Sequence, residues 1–269
     1  MEIPFLHRIL KRRPRVAVLR LHGAIGMVGR GGALNDAALA AVIERAFRRG
    51  RPAAVALSIN SPGGSPVQSS LIAARIRRLA DETEIPVHAF VEDVAASGGY
   101  WLACAADRIW ADDSSILGSI GVISAGFGFQ DLIARWGIER RVHTAGRSKS
   151  TLDPFRPESP EDIDRLRNIL EPIHEAFKQH VSARRGARLQ DGRDLFTGEF
   201  WAGQEAVRLG LADGIAHLAP KMKALYGDKT RFVVHSPRQS LARRMGLSAE
   251  AVLDLAEERA AFARFGAGG

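Results

Sequence analysis

From Arg15 the apolar positions run unbroken through Val16, Ala17, Val18 and Leu19 and resume at Leu21, which predicts a strand ending at His22-Gly23. Five glycines between 23 and 32 predict a loop after it. Then the spacing changes. Leu39, Val42, Ile43 and Phe47 recur at intervals of three and four behind a capping Asn35 or Asp36, so a helix is expected up to Gly50. The short apolar run 53–59 reads as a strand buried on both faces, 67–79 as a helix and 86–91 as a further strand. This alternation implies an α/β fold with a largely parallel sheet flanked by helices.

The second half is less regular. The pattern predicts a helix over 97–105, strands over 108–111 and 119–124, a helix over 129–136 and a strand over 138–143. A loop rich in charge and proline follows, 146–160. Ser159, with Asp162 three residues on, resembles a capping box and opens the longest helix, to about Arg184. A short helix over 202–210 closes at Gly210, 211–215 returns toward the sheet, and 231–235 precedes a polar helical extension with Leu247, Val252, Leu253 and Leu255 as its apolar residues. Three parts are expected: an arm over 1–14, one domain over 15–235 and a C-terminal helical tail over 236–269.

Composition narrows the classes. With 269 residues and 46% hydrophobic content the chain can bury a sizeable core. Its single Cys104 excludes an internal disulfide and any multi-cysteine metal site, and reads as a small buried apolar residue in a reducing, cytoplasmic setting. No metal or cofactor is implied, and no run approaches a membrane span or a signal peptide. Of the net +8, five charges (Arg8, Lys11, Arg12, Arg13, Arg15) lie close together behind Ile3, Phe5, Leu6, Ile9 and Leu10. That arm fits either a solvated tail or a peripheral contact with the anionic inner face of a membrane. Nucleic acid is not expected, because no aromatic platform or reader motif accompanies the charge.

Two stretches carry candidate chemistry. In Asp93-Val94-Ala95-Ala96-Ser97-Gly98-Gly99-Tyr100-Trp101 one serine sits among small residues at the predicted start of a helix. Ser97 is thus either an approachable nucleophile, favoured there by the helix dipole, or simply an N-cap. Ile59-Asn60-Ser61-Pro62-Gly63-Gly64 closes a predicted parallel strand. Its glycines either offer backbone N–H groups to an oxyanion or make an ordinary tight turn.

Together, Asn-Ser-Pro-Gly-Gly and Ala-Ser-Gly-Gly-Tyr-Trp resemble motifs of the Clp/crotonase superfamily, and within it the signal peptide peptidase A and SohB family of serine proteases (peptidase family S49). The resemblance extends over roughly 15–217. It includes Gly118-Ser119-Ile120-Gly121-Val122, the segment Gly146-Arg147-Ser148-Lys149 leading to Pro154-Phe155, and Phe196-Thr197-Gly198 leading to Gly210-Leu211-Ala212-Asp213. It implies a Clp/crotonase-like fold and a Ser/Lys dyad: Ser97 as nucleophile, Lys149 as base, Ser119 beside the base, and Gly63, Gly64 and Gly98 around the oxyanion. Ser148 departs from the tyrosine usual in that family. The resemblance also implies peptide substrates with small or apolar residues, such as remnant signal peptides, and a homo-oligomer whose serine and lysine come from adjacent copies.

Elementary chemistry agrees with a lysine. A serine hydroxyl needs a neighbouring base, and no histidine lies between Ser97 and His143, which ends a predicted strand and reads as structural. A lysine base must be neutral when it acts, so the pKa of such a group has to fall from about 10.4 toward about 7–8 by burial away from carboxylates. Asp93 reads as a turn anchor and Asp153 is expected to point away from Lys149. Lys178, Lys221, Lys223 and Lys229 read as solvated. Two other readings remain: a crotonase-like acyl-CoA hydratase or isomerase, with Glu92 as its carboxylate, and an inactive membrane-associated scaffold.

Overall fold

The computed structural model describes residues 13–26, 34–236 and 259–266. Most of the basic arm, the glycine-rich residues 27–33 and most of the polar tail lie outside the described residues.

Strands β1 (Arg15–His22), β2 (Ala54–Ser61) and β3 (Val87–Ala96) are the apolar runs read from the sequence, and they pair in parallel. They alternate with α1 (Asp36–Arg48) and α2 (Pro66–Thr83). Asn35 caps α1 by accepting the Ala38 N–H, and Ser65 caps α2 ahead of Pro66, whose missing N–H costs nothing in the first turn. After α3 (Gly98–Ala103) come β4 (Arg108–Ala111) and β5 (Ile116–Gly118). Both lie along the same edge of β3: His88 to Val91 pair with β4, and Val94 to Ala96 with β5.

Downstream are α4 (Gln130–Arg135), α5 (Pro160–Arg185), β6 (Phe200–Ala202), α6 (Gly203–Arg208), β7 (Gly214–Ile215), α7 (Leu218–Tyr226) and β8 (Arg231–His235). The sheet runs β6-β5-β3-β2-β1-β8, with β4 on β3 and β7 on β4. Every pairing is parallel except β5 with β6. The fold is therefore α/β with a largely parallel sheet flanked by helices, as expected.

Each face of the sheet has its own cover. On one, Leu39, Ile43 and Phe47 of α1, Ile72, Ile76 and Leu79 of α2, and Tyr100 and Leu102 of α3 pack on Leu19, Leu21, Leu57 and Ile59. The C-terminal half of α5 joins them through Phe177 and Val181. On the other face Met222 of α7 closes over Val16, Val18, Ala54, Ala56 and Phe90. Near the end of β3, Phe265 and Phe262 pack against Val94, Ala96 and Ile116, so part of the expected helical tail returns to the sheet.

Several expectations need correction. No strand forms over 119–124: β5 lies just before it, because Gly118 (φ 113°) and Ser119 (φ 53°) leave the extended region. Residues 138–143 form no strand either; His143 is exposed there, and no strand lies alongside. The apolar alternation at Ile138 and Val142 instead leaves both side chains exposed. Helix α7 and strand β6 had no clear signal. Ser159 does cap α5, but Asp162 turns to the Leu152 N–H and Arg165 rather than closing a reciprocal box. Lys221 is half-buried with its ammonium 3.9 Å from the centre of the Trp110 ring, and Lys178 pairs with Glu175. Cys104 is fully buried, and burial pushes its thiol up to about 12.

Candidate active site

Ser97 stands where β3 ends and α3 begins. Its N–H donates to Gly118 O at 2.8 Å, extending the β3–β5 ladder by one step, and its carbonyl accepts from Trp101 N–H at 3.0 Å to start the helix. Between those two bonds the backbone must turn sharply, and it does so with φ 51° and ψ −120° at Ser97. A non-glycine residue pays roughly 1–3 kcal/mol to hold such a conformation. Ser97 occupies the position ahead of α3, yet its side chain makes no cap hydrogen bond. The N-cap alternative therefore fails, and the hydroxyl is left half-buried on a strained strand-to-helix turn.

The glycines explain how this turn fits. At Gly63 (φ 98°) a Cβ would lie 2.8 Å from Ala96 O, Gly98 N and Ser97 Cβ together, so only glycine lets the β2 loop touch the turn. A Cβ on Gly98 would collide with Ser69 Oγ, and one on Gly99 with Ser61 O. Gly63 N–H leans on Ser61 Oγ at 3.3 Å. Gly64 bridges Ile25 through its neighbours: Ile25 N–H donates to Gly63 O, and Ser65 N–H to Ile25 O, both at 2.8 Å. The N–H and C=O of Gly64 itself then point away from Ile25, without a backbone partner among the described residues. Gly63 and Gly98 thus meet at the Ser97 turn, and Gly64 follows Gly63 in the part of the loop that bridges Ile25.

Ser119 follows Gly118 and is next to Ser97 across the ladder. It is largely buried and its N–H is fixed on Glu199 O at 2.6 Å. His174 Nε2 sits 3.2 Å from Ile120 O, tying α5 to the same loop. Sequence reasoning passed over His174, Ser69 and Ile25, because an isolated residue carries no pattern that announces such a contact.

Lys149 is elsewhere. It is exposed in the turn that follows Gly146, and its ammonium has no hydrogen bond or ion pair among the described residues. No hydrogen bond joins Ser97 to Lys149 among the described residues. Asp153 points away as expected, held by Arg140 at 2.9 Å, and that hydrogen bond keeps its carboxyl below the usual carboxylate range. Asp93 accepts from Asn60 and so fastens β3 to β2. Glu92 accepts from Ser58 Oγ at 2.6 Å with His22 at 3.4 Å, and His22 foremost holds its carboxyl low. That carboxylate is thereby engaged away from the Ser97 turn.

Fold and site together define an α/β protein with a serine hydroxyl presented on a tight elbow among glycines, the class to which serine hydrolases belong. The family follows from sequence. Residues 80–226 match the model of Peptidase family S49, and the chain belongs to that family. A Brucella melitensis protein named Na(+)/H(+) antiporter NhaA is 46% identical over 285 residues, covering 97% of this chain and 39% of that one. The probable protease SohB of Haemophilus influenzae is 32% identical over 200 residues, covering 73% of this chain and 55% of that protein. The chain thus spans roughly two fifths to one half of these relatives. No helix among the described residues is long and apolar enough to cross a membrane, and the transport in the Brucella name is a property of that protein. A solved structure titled 1510-N membrane-bound stomatin-specific protease S97A mutant aligns over 83% of this chain and 99% of its own, with 15% identity and a TM-score of 0.48.

Proposed function

We propose that this chain is a serine endopeptidase in which Ser97 attacks the peptide carbonyl and Lys149 of an adjacent copy serves as the base. The observation that carries the reading is the Ser97 elbow: a strained turn whose hydroxyl caps nothing and onto which Gly63 is packed. Lys149 takes the hydroxyl proton as Ser97 Oγ bonds to the carbonyl carbon. The resulting oxyanion is held by the N–H groups of Gly64 and Gly98, with Gly63 shaping the cradle. The protonated lysine returns its proton to the leaving amine. Water then adds to the acyl carbon and gives its proton to the lysine; the ester bond to Ser97 breaks, the acid leaves, and Ser97 Oγ takes the proton back from the lysine. Ser119 orients the lysine without adding charge.

A base of this kind must be desolvated, and none of the described residues buries Lys149 within the single chain. A second copy supplies what is missing. Ile123, Phe127, Trp136 and Ile138 stand exposed in the same segment, Phe127 at 82% and Trp136 at 76%, too much apolar surface to leave in water. The substrates that fit the family are peptides with small or apolar residues around the cut, remnant signal peptides among them.

The direct test is labelling with a fluorophosphonate, alongside hydrolysis of a panel of apolar peptide esters, for wild type and Ser97→Ala. Wild type should label and turn over while the variant does neither. Equal hydrolysis in both would overturn the proposal.

A further inference from the structure

A second concave site lies at the far edge of the sheet from Ser97. Its walls are the last turns of α1 and the strand β8, and it encloses a cavity of about 510 Å³ lined by Arg45, Arg49, Val233, Val234 and His235. Arg15, on β1, does not line the cavity but lies beside it, its guanidinium over Gly50 and its charge acting on His235. It can lie there because Gly50, just past the end of α1, has no side chain: a Cβ there would collide with the Arg15 guanidinium. Arg15, Arg45 and Arg49 make no side-chain hydrogen bond or ion pair among the described residues. The nearby acids are otherwise engaged, since Glu44 and Glu82 serve Arg48 and Arg78.

Three guanidiniums gathered without a carboxylate repel one another. The free carbonyls at the end of α1 offset part of that repulsion, but they favour the arginines and not an incoming anion. What remains is a positive pocket whose planar donors match the oxygens of a phosphate group. Val233 and Val234 add an apolar wall, with Val234 half-exposed at the rim, which suits a phosphate carrying a small organic group. We propose that Arg45 and Arg49, with Arg15 beside them and His235 at the base, form a binding site for a phosphate ester, either soluble or the headgroup of a lipid.

The state of His235 fits this assignment. Burial, and then Arg45, Arg49 and Arg15, hold its imidazole below the ordinary histidine value, and no carboxylate acts on it. An anion seated among the arginines would reverse the charge felt by the ring and raise that pKa. None of this depends on protease activity.

Binding can be tested on the full chain. Inorganic phosphate and glycerol phosphate are titrated by calorimetry, and cosedimentation is measured with phosphatidylcholine vesicles with and without phosphatidylglycerol. Each is repeated with Arg45→Gln/Arg49→Gln and with Arg208→Gln as a control arginine on α6. Arg45 and Arg49 are exposed, so their replacement leaves the core intact. The double variant should lose affinity by about tenfold or more, the control should stay within about twofold, and binding should weaken with salt. Binding of the soluble phosphates alone identifies a soluble ester, and binding of the anionic vesicles alone identifies a headgroup. No binding to either, or equal binding by wild type and the double variant, overturns the site.

Discussion

At the scale of single residues, Ser97 holds an unfavourable backbone conformation so that its hydroxyl can stand clear of the sheet. Glycine adopts φ near 51° without that penalty. Ser97→Gly should therefore stabilise the protein by about 1 kcal/mol, seen as a rise in Tm of roughly 2–4 °C, while peptide hydrolysis falls by about three orders of magnitude. Ser97→Ala should be as inactive without the gain. An unchanged or lower Tm for the glycine variant, measured beside the alanine one, would mean that the turn is not strained. The residues of this turn were readable in advance as types: a serine among small residues, and paired glycines after a strand. That Gly63 touches Ser97 Cβ was not, because the contact joins β2 to β3 and is fixed by the sheet register.

At the scale of elements, α7 shows how a helix with little sequence signal is held. Beside Met222, Leu218 and Tyr226 pack on the sheet, and polar contacts around His88 lie at the same seam. Trp110 Nε1–H donates to His88 Nδ1 at 3.4 Å, and Tyr226 OH approaches His88 Nε2 at 3.4 Å. A tryptophan N–H can only donate, so His88 Nδ1 must be unprotonated for this contact to exist. Burial holds the pKa of His88 below its ordinary value, and the same holds for His180, buried against Trp101. The unfolded chain therefore takes up protons at these sites before the folded one does. The stability they contribute is complete above about pH 6.5 and is lost as pH falls through the folded values. The urea midpoint should drop between pH 7.5 and 5.5, and His88→Gln should make that drop smaller. A midpoint whose pH dependence is the same with and without His88 would exclude the role.

The strongly periodic helices α1 and α2 and the apolar runs of β1, β2 and β3 were legible, since each buries a continuous face; α5 was legible from the Ser159 cap and buries only its C-terminal half. The two strands expected at 119–124 and 138–143 were misread for a physical reason. Alternating apolar residues record that a segment is to be covered, not what covers it. Strand β6 is three residues long and β7 two, too short to show a period.

At the scale of the molecule, the body is well packed, whereas the segment from Ile123 through the first turns of α5 is mostly exposed. Lys149 is part of that segment. If sites are completed between copies, dissociating and reassembling equal amounts of Ser97→Ala and Lys149→Ala chains should recover about a quarter of wild-type activity, because random mixing pairs an intact serine with a neighbour's intact lysine that often. Mixed oligomers, verified by mass, that remain inactive would place both groups within one chain. The Ser97 turn was thus legible as a set of residue types, whereas no pattern along the chain tells from which copy a lysine would reach it.

The pairing of β5 with β6 also bears on how such chains vary through evolution. Gly118 and Phe200 face each other across that antiparallel pair, so everything between them leaves the sheet and returns at a single fixed doorway. The entropy of closing such an excursion grows only with the logarithm of its length, about 0.6 kcal/mol per doubling. Residues can be gained or lost in its outer part, short of the anchored end of α5, without moving Gly118 O from the Ser97 N–H. Insertions within β3 have no such freedom, since one extra residue would shift Ser97 against β2 and β5 at once. Length differences between related chains should therefore collect in the excursion, while the Ser97 turn stays in place.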